Sequence, residues 1–174
     1  MRTKMSGEEN SNLNDAVTNM RAVDKALDEY EAECGLPLAV NPCDKNELDV
    51  YFSMKRDHIE KLSSEDCGQI AYRLSQVSFH LQRCINREQS RITWAKAKLD
   101  ATMASNIHSF DKYMKHEVKV AAIQQTNSYA KKLGDIISYA DQRSQRLTFL
   151  AASIKHLSEV MLANHRSKSY ARAT

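Results

Sequence analysis

The stretch RCINREQSRITWAKAK, residues 83–98, sets Arg83, Arg87, Arg91, Trp94 and Lys98 at steps of four, four, three and four. At about 100° per residue, a helix keeps these five side chains within roughly a quarter turn of one another. A solvated helix face ordinarily interleaves acids with bases for i,i+4 pairing. Here the nearest acid, Glu88, lies roughly a quarter turn off the column, so the cations call for an anionic partner. Four cations in line can track successive phosphates, and an exposed indole gives an unpaired base a face to stack on. That combination holds single strands without sequence preference, with stacking worth roughly 1–3 kcal/mol per base and each neutralised phosphate adding salt-sensitive affinity. Lys96 points elsewhere on the helix but stays within reach of a strand passing beside it. The expected DNA-binding set is therefore Arg83, Arg87, Arg91, Trp94, Lys96 and Lys98. In the competing reading Trp94 packs against a neighbouring helix and the arginines are solubilising charge.

The charge balance agrees with a polyanionic ligand. The net charge of +3 hides an asymmetry: residues 1–66 hold eight basic and fifteen acidic side chains, residues 67–174 seventeen and seven. A cationic body behind an acidic segment favours nucleic acid or an acidic surface. No run of about eighteen apolar residues exists to span a bilayer, and MRTKMSGEENSN lacks the apolar core of a signal peptide. No helix pairs a Lys-rich face with exposed Trp, Phe and Leu, so membrane contact is not expected.

The elements that must position this column are helical. Prolines occur only at 37 and 42, and the 132 residues beyond are broken by Gly68 and Gly134 alone. With no β-branched runs of period two, the expected fold is all-α. Residues 1–43 form an acidic arm: a disordered start to about residue 11, a helix from about Asn12 to Cys34 stopped by Gly35, and the linker LPLAVNPC. The core, 44–164, comprises helices over about 44–61, 64–105 and 117–164, with Asp44 and Glu47 opening the first and Ser63 or Ser64 capping the second. Residues 165–174 are left as a basic tail. The acids of the first two helices read as a solvated face.

The middle helix carries a seam through Cys67, Ile70, Leu74, Val77, Leu81 and Cys84 that slips to Ile85, Ile92, Ala95 and Leu99. It lies roughly 110° from the cationic column. The last helix reads Tyr129, Leu133, Ile136, Ala140, Arg143, Leu147, Leu150, Ile154, Leu157, Met161, a sustained heptad. Two helices of this length, each roughly 60–70 Å at 1.5 Å per residue, make a long antiparallel hairpin that cannot cover both stripes alone. The apolar heptad positions are accordingly the expected homo-oligomerisation surface. Arg143 in that seam and Glu88 in the other pair within one hairpin if the turn centres near residue 115. A turn near 108 leaves them to pair across subunits, or Arg143 to reach water.

Catalytic signatures are missing. There is no G-x-x-x-x-G-K-[ST] loop, G-x-G-x-x-G fingerprint or H-E-x-x-H pair, and His58, His80, His108, His116, His156 and His165 show no metal-ligand spacing. Cys34, Cys43, Cys67 and Cys84 form no C-x-x-C pair and read as reduced thiols. The expectation is a binding protein with no cofactor or metal, not an enzyme.

Three segments carry a resemblance. AKAKLD (95–100) resembles the K-A-[KR]-L-D segment of the UvsY recombination mediators of T-even-type bacteriophages. HSFDKYMKHEVK (108–119) is similar to that family's aromatic-x-D-[KR]-Y-x-K-x-E-hydrophobic-K stretch, and SIKHLSEV (153–160) to its A-I-K-H-I-x-[DE] segment. They fall in the same order, and the likeness covers about residues 63–165. It implies a ring-forming helical oligomer in the cytoplasm of an infected bacterium. Such a protein binds single-stranded DNA and helps the phage recombinase displace the single-strand-binding protein during recombination-dependent repair and replication. It assigns DNA contact to Lys96 and Lys98 and oligomerisation to the C-terminal helix. The chain departs from the family in having ATMASN (101–106) where a Gly-rich loop is expected, and in its N-terminal forty or so residues. Their acidity suggests an autoinhibitory or partner-docking arm that competes with DNA for the basic face. The alternative to a mediator is a coiled-coil scaffold or adaptor whose stripe docks an acidic protein.

Overall fold

A computed structural model describes residues 8–35, 41, 43–106, 108 and 110–173. Among these residues all regular structure is helical: α1 (Glu8–Glu33), α2 (Lys45–Ser53), α3 (Arg56–Lys61), α4 (Ser64–Ser105), α5 (His116–Thr126) and α6 (Ser128–Ala173). The chain divides into two compact units, one of residues 1–37 and 86–144, the other of 38–85 and 145–174.

In the unit of residues 38–85 and 145–174, α4 packs on α6 through Ala71, Leu74, Val77 and Leu81 on one side and Ile154 and Met161 on the other. Small side chains bring the backbones close: Ser158 Oγ donates to the Ala71 carbonyl at 2.8 Å and lies 3.0 Å from Ser75 Oγ. α4 opens on a reciprocal cap. Asp66 N–H donates to Ser63 Oγ at 3.0 Å, and Ser63 N–H donates to Asp66 Oδ2 at 3.2 Å. That resolves the cap in favour of Ser63; Ser64 is buried and turned to His165 and Ser169 instead.

The expected helix over 44–61 is two helices, with Met54 and Lys55 extended between them. In one continuous helix Met54 and Ile59, five residues apart, would diverge by about 140°. The break lets both pack on the same core as Leu48 and Leu62. The basic tail is also corrected, because α6 continues to Ala173. Lys168 Nζ donates to the carbonyls of Ile59, Glu60 and Leu62 at 2.9, 3.0 and 2.6 Å, capping the C-terminus of α3. Ser64 Oγ donates to the His165 carbonyl at 2.9 Å. Tertiary bonds thus extend a helix that its own sequence gave no reason to prolong.

In the unit of residues 1–37 and 86–144, the core is Ala16 of α1, Ala95 and Leu99 of α4, Ile123 of α5, and Ala130, Leu133 and Ile136 of α6. The helix expected over 117–164 is interrupted at Asn127, whose backbone is extended and whose Oδ1 accepts from Ala130 N–H at 3.0 Å. α1 begins at Glu8, so part of the stretch expected to be disordered is helical; residues 1–7 lie outside the described residues. It ends where Gly35 takes φ +67, a left-handed turn that costs glycine nothing.

The heptad seam expected to bind another copy is largely used within the chain. Leu133, Ile136, Ala140, Ile154 and Met161 are buried, Tyr129, Leu147 and Leu157 half-buried, and only Leu150 of the nine apolar positions is exposed. The physical reason is that α1, α2, α3 and α5 supply apolar partners that a bare hairpin would lack.

Candidate nucleic-acid interface

On α4 the step of four separating Arg87 from Arg91 meets an equal step on α1. Arg91 Nε and Nη2 donate to Asp24 Oδ2 at 3.1 and 2.6 Å, and Arg87 Nη2 donates to Asp28 Oδ1. The numbering rises on one helix as it falls on the other, so the two run antiparallel across the ladder. The apolar stripe of α1 faces the core through Ala16 and Met20, and Asp24 and Asp28 follow along its edge. The acids expected to be a solvated face are therefore, at these two positions, counter-charges to the column. At Arg87 and Arg91 the column's physical requirement for anions is met inside the chain.

Glu88 is drawn in as well, contrary to its expected distance from the column. One turn of helix brings it to Arg91, whose Nη1 donates to Glu88 Oε1 at 2.6 Å. Glu88 Oε2 accepts from Arg143 Nε and Nη2 at 3.0 and 2.8 Å. Arg143 and Glu88 thus pair within one chain, the arrangement expected for a turn centred near residue 115 and not for one near 108. The result is a charge-balanced chain, Asp24–Arg91–Glu88–Arg143, beside a hydrogen bond from Gln89 to the buried Ser144 hydroxyl at 2.8 Å. Hydrogen bonding to Asp24 raises the Arg91 guanidinium pKa further, against the opposing effect of burial.

Trp94 is half-buried, packed against the core that contains Ala16, Ala95 and Leu99. Its ring is shared between protein and solvent, neither the fully open platform of the DNA-binding reading nor fully enclosed. Arg83 is half-buried and engaged. Lys96 and Lys98 differ from the arginines: both are exposed, and among the described residues neither forms an ion pair. Two residues apart, they point to nearly opposite sides of α4. Lys98 continues the arginine column. Lys96 shares a face with Asp100 and Met103, which with Phe110, His116 and Lys119 line a solvent-open depression of about 490 Å³.

The structure therefore brings together Arg87, Arg91, Trp94 and Lys98 on one flank, sets Lys96 on another, and covers the arginines with α1. Asp24, Asp28 and Arg143 were the partners that the column's own spacing did not name. The equal steps of four in the two helices were the available signal. Among the described residues no cluster of His, Cys, Asp and Glu could hold a metal ion, and no helix is long and apolar enough to cross a membrane. No family model matches the chain, and neither a curated protein nor a solved structure matches it.

Proposed function

We propose that this chain is a single-stranded-DNA-binding recombination mediator of the UvsY-like kind, not an enzyme, which helps load a phage recombinase onto DNA covered by single-strand-binding protein. The observation that carries this reading is the row of Arg87, Arg91, Trp94 and Lys98 on one flank of α4, with Lys98 exposed at its end, Lys96 exposed on another flank, and neither lysine in an ion pair among the described residues. In the conformation described, α1 occupies the two arginines, so first contact with a strand falls to Lys96 and Lys98. The three segments of resemblance add the recombination role and assign those same two lysines to DNA.

Self-association belongs to the same proposal. Its support is the apolar surface left on α4 and α6 in the unit of residues 38–85 and 145–174, where Tyr72, Phe79, Phe149 and Leu150 are exposed. This surface replaces the buried part of the heptad seam as the contact between copies. Scattered exposed apolar residues are ordinary, but aromatic ones on long helices are the side chains that interfaces favour.

A second reading has its own observation. Because Arg87 and Arg91 already hold carboxylates of a helix, the flank is shaped to dock an acidic helix, as an adaptor's would be. Fluorescence anisotropy of labelled oligo-dT decides between them. The mediator reading expects binding that weakens steeply with salt and falls at least tenfold in Lys96→Ala/Lys98→Ala; an adaptor shows no binding at any salt.

A further inference from the structure

Resting on the mediator reading, we infer that α1 is an acidic latch: Asp24 and Asp28 occupy the guanidiniums that hold a strand's phosphates once α1 is displaced. Carboxylate and phosphate present the same acceptor geometry to a guanidinium, and the planar donor set of Arg serves either. Over Glu8–Glu33 the helix carries eight acidic and two basic side chains, and two of those acids, Asp24 and Asp28, lie on the column. The match is one of position as well as charge, since acids four apart meet arginines four apart.

The same helix is held loosely enough to leave. Of its described side chains only Ala16 is fully buried, while Leu27 and Tyr30, on the apolar stripe, are exposed. The C-terminal half of α1 meets α4 through the ion pairs of Asp24 and Asp28, with Glu31 also half-buried and engaged. The more exposed of the two pairs, Arg87–Asp28, weakens with ionic strength, and both are replaceable by another anion. Trp94 packs in the same core as Ala16 and Met20, so lifting α1 uncovers the indole together with the arginines. One displacement opens both halves of the single-strand site. A protein whose open form is a minor fraction binds with its intrinsic affinity reduced by that fraction. Weakening the latch therefore raises apparent affinity without adding a contact.

The test uses the full chain and labelled oligo-dT at low salt, comparing wild type, Asp24→Asn/Asp28→Asn and Glu29→Gln/Glu33→Gln, with hydrogen exchange of α1 followed in wild type. Glu29 and Glu33 are exposed, so the third protein loses the same charge without touching the arginines. The latch predicts binding about tenfold tighter in Asp24→Asn/Asp28→Asn and at most about twofold tighter in Glu29→Gln/Glu33→Gln. It also predicts faster exchange in α1 when oligo-dT saturates the wild type. Equal affinity of wild type and the aspartate variant, or equal tightening in both variants, overturns the latch while leaving DNA binding intact. If none of the three binds oligo-dT, the mediator reading falls, and the latch with it.

Discussion

Replacing Arg91 by methionine removes the centre of the Asp24–Arg91–Glu88–Arg143 chain while keeping a side chain of similar reach. The side chains of Asp24, Arg91 and Glu88 are 14%, 20% and 9% exposed. Arg143, at 49%, can satisfy itself in water. Arg91→Met leaves Glu88 with one guanidinium and Asp24 with none. Orphaning a fully buried charge costs about 3–5 kcal/mol. Asp24 keeps some water and sits on a helix that can shift, so a loss of about 2–3 kcal/mol is expected, nearer the range for charge-assisted hydrogen bonds. For a chain of this size that lowers the melting temperature by about 4–12 °C. The sharper quantity is the coupling energy from a double-mutant cycle of Arg91→Met and Asp24→Asn, expected at about 1.5–2.5 kcal/mol. Arg56 and Glu60, also paired but 90% and 58% exposed, should couple by less than about 0.5 kcal/mol. Urea unfolding followed by Trp94 emission reads the first cycle, because the only tryptophan packs on the core of that unit. Circular dichroism reads the second. A coupling at Asp24–Arg91 no larger than at Arg56–Glu60 would refute the view that α1 is fixed by its ion pairs.

Other consequences are separable. Leu133→Ala, at a fully buried position, should cost about 2–5 kcal/mol, whereas Leu150→Ala at an exposed one should cost less than about 1 kcal/mol; thermal melts distinguish them. The Glu47 carboxyl is held below its ordinary value of 4.5, first by the hydrogen bond from Tyr51 and then by Arg73. Its contribution is therefore complete above pH 4.5 and disappears as pH falls through the lowered folded value. Glu47→Gln should accordingly be less stable than wild type at neutral pH and converge on it in acid. Cys34 is exposed, Cys43 and Cys67 are buried, and burial pushes the Cys43 thiol pKa up. A thiol reagent at pH 8 should modify Cys34 first and reach the other two only on unfolding, as mass spectrometry of digested samples would show.

The helical class and the α4 seam were legible in the sequence because apolar spacing is a local property of a chain with almost no helix breakers. The α4 boundaries, Ser64 to Ser105, were readable for the same reason. The breaks at Met54–Lys55 and Asn127 were not, since neither contains proline or glycine. Each serves packing between distant segments, bringing Ile59 or Ile123 onto a core that only the folded chain assembles. The tail past Asn164 failed likewise, its helix being held by Lys168 on the carbonyls of α3. At the candidate site the cationic column was visible, and so was its need for anions. The identity of those anions was not, because Asp24 and Asp28 lie more than fifty residues away and helical spacing within α4 cannot select them. The acidity of the N-terminal segment had suggested competition for the basic face; it did not say which carboxylate would meet which arginine.

The most direct test of DNA binding at this flank is a titration of the full chain with oligo-dT across a range of salt, read by Trp94 emission. Binding at this flank gives a saturable change in emission, with log affinity falling linearly in log salt by about 0.7 for each phosphate contacted, and a slope shallower by about 1.4 in Lys96→Ala/Lys98→Ala. Emission that stays flat at the lowest salt, in wild type and in Asp24→Asn/Asp28→Asn alike, would contradict it.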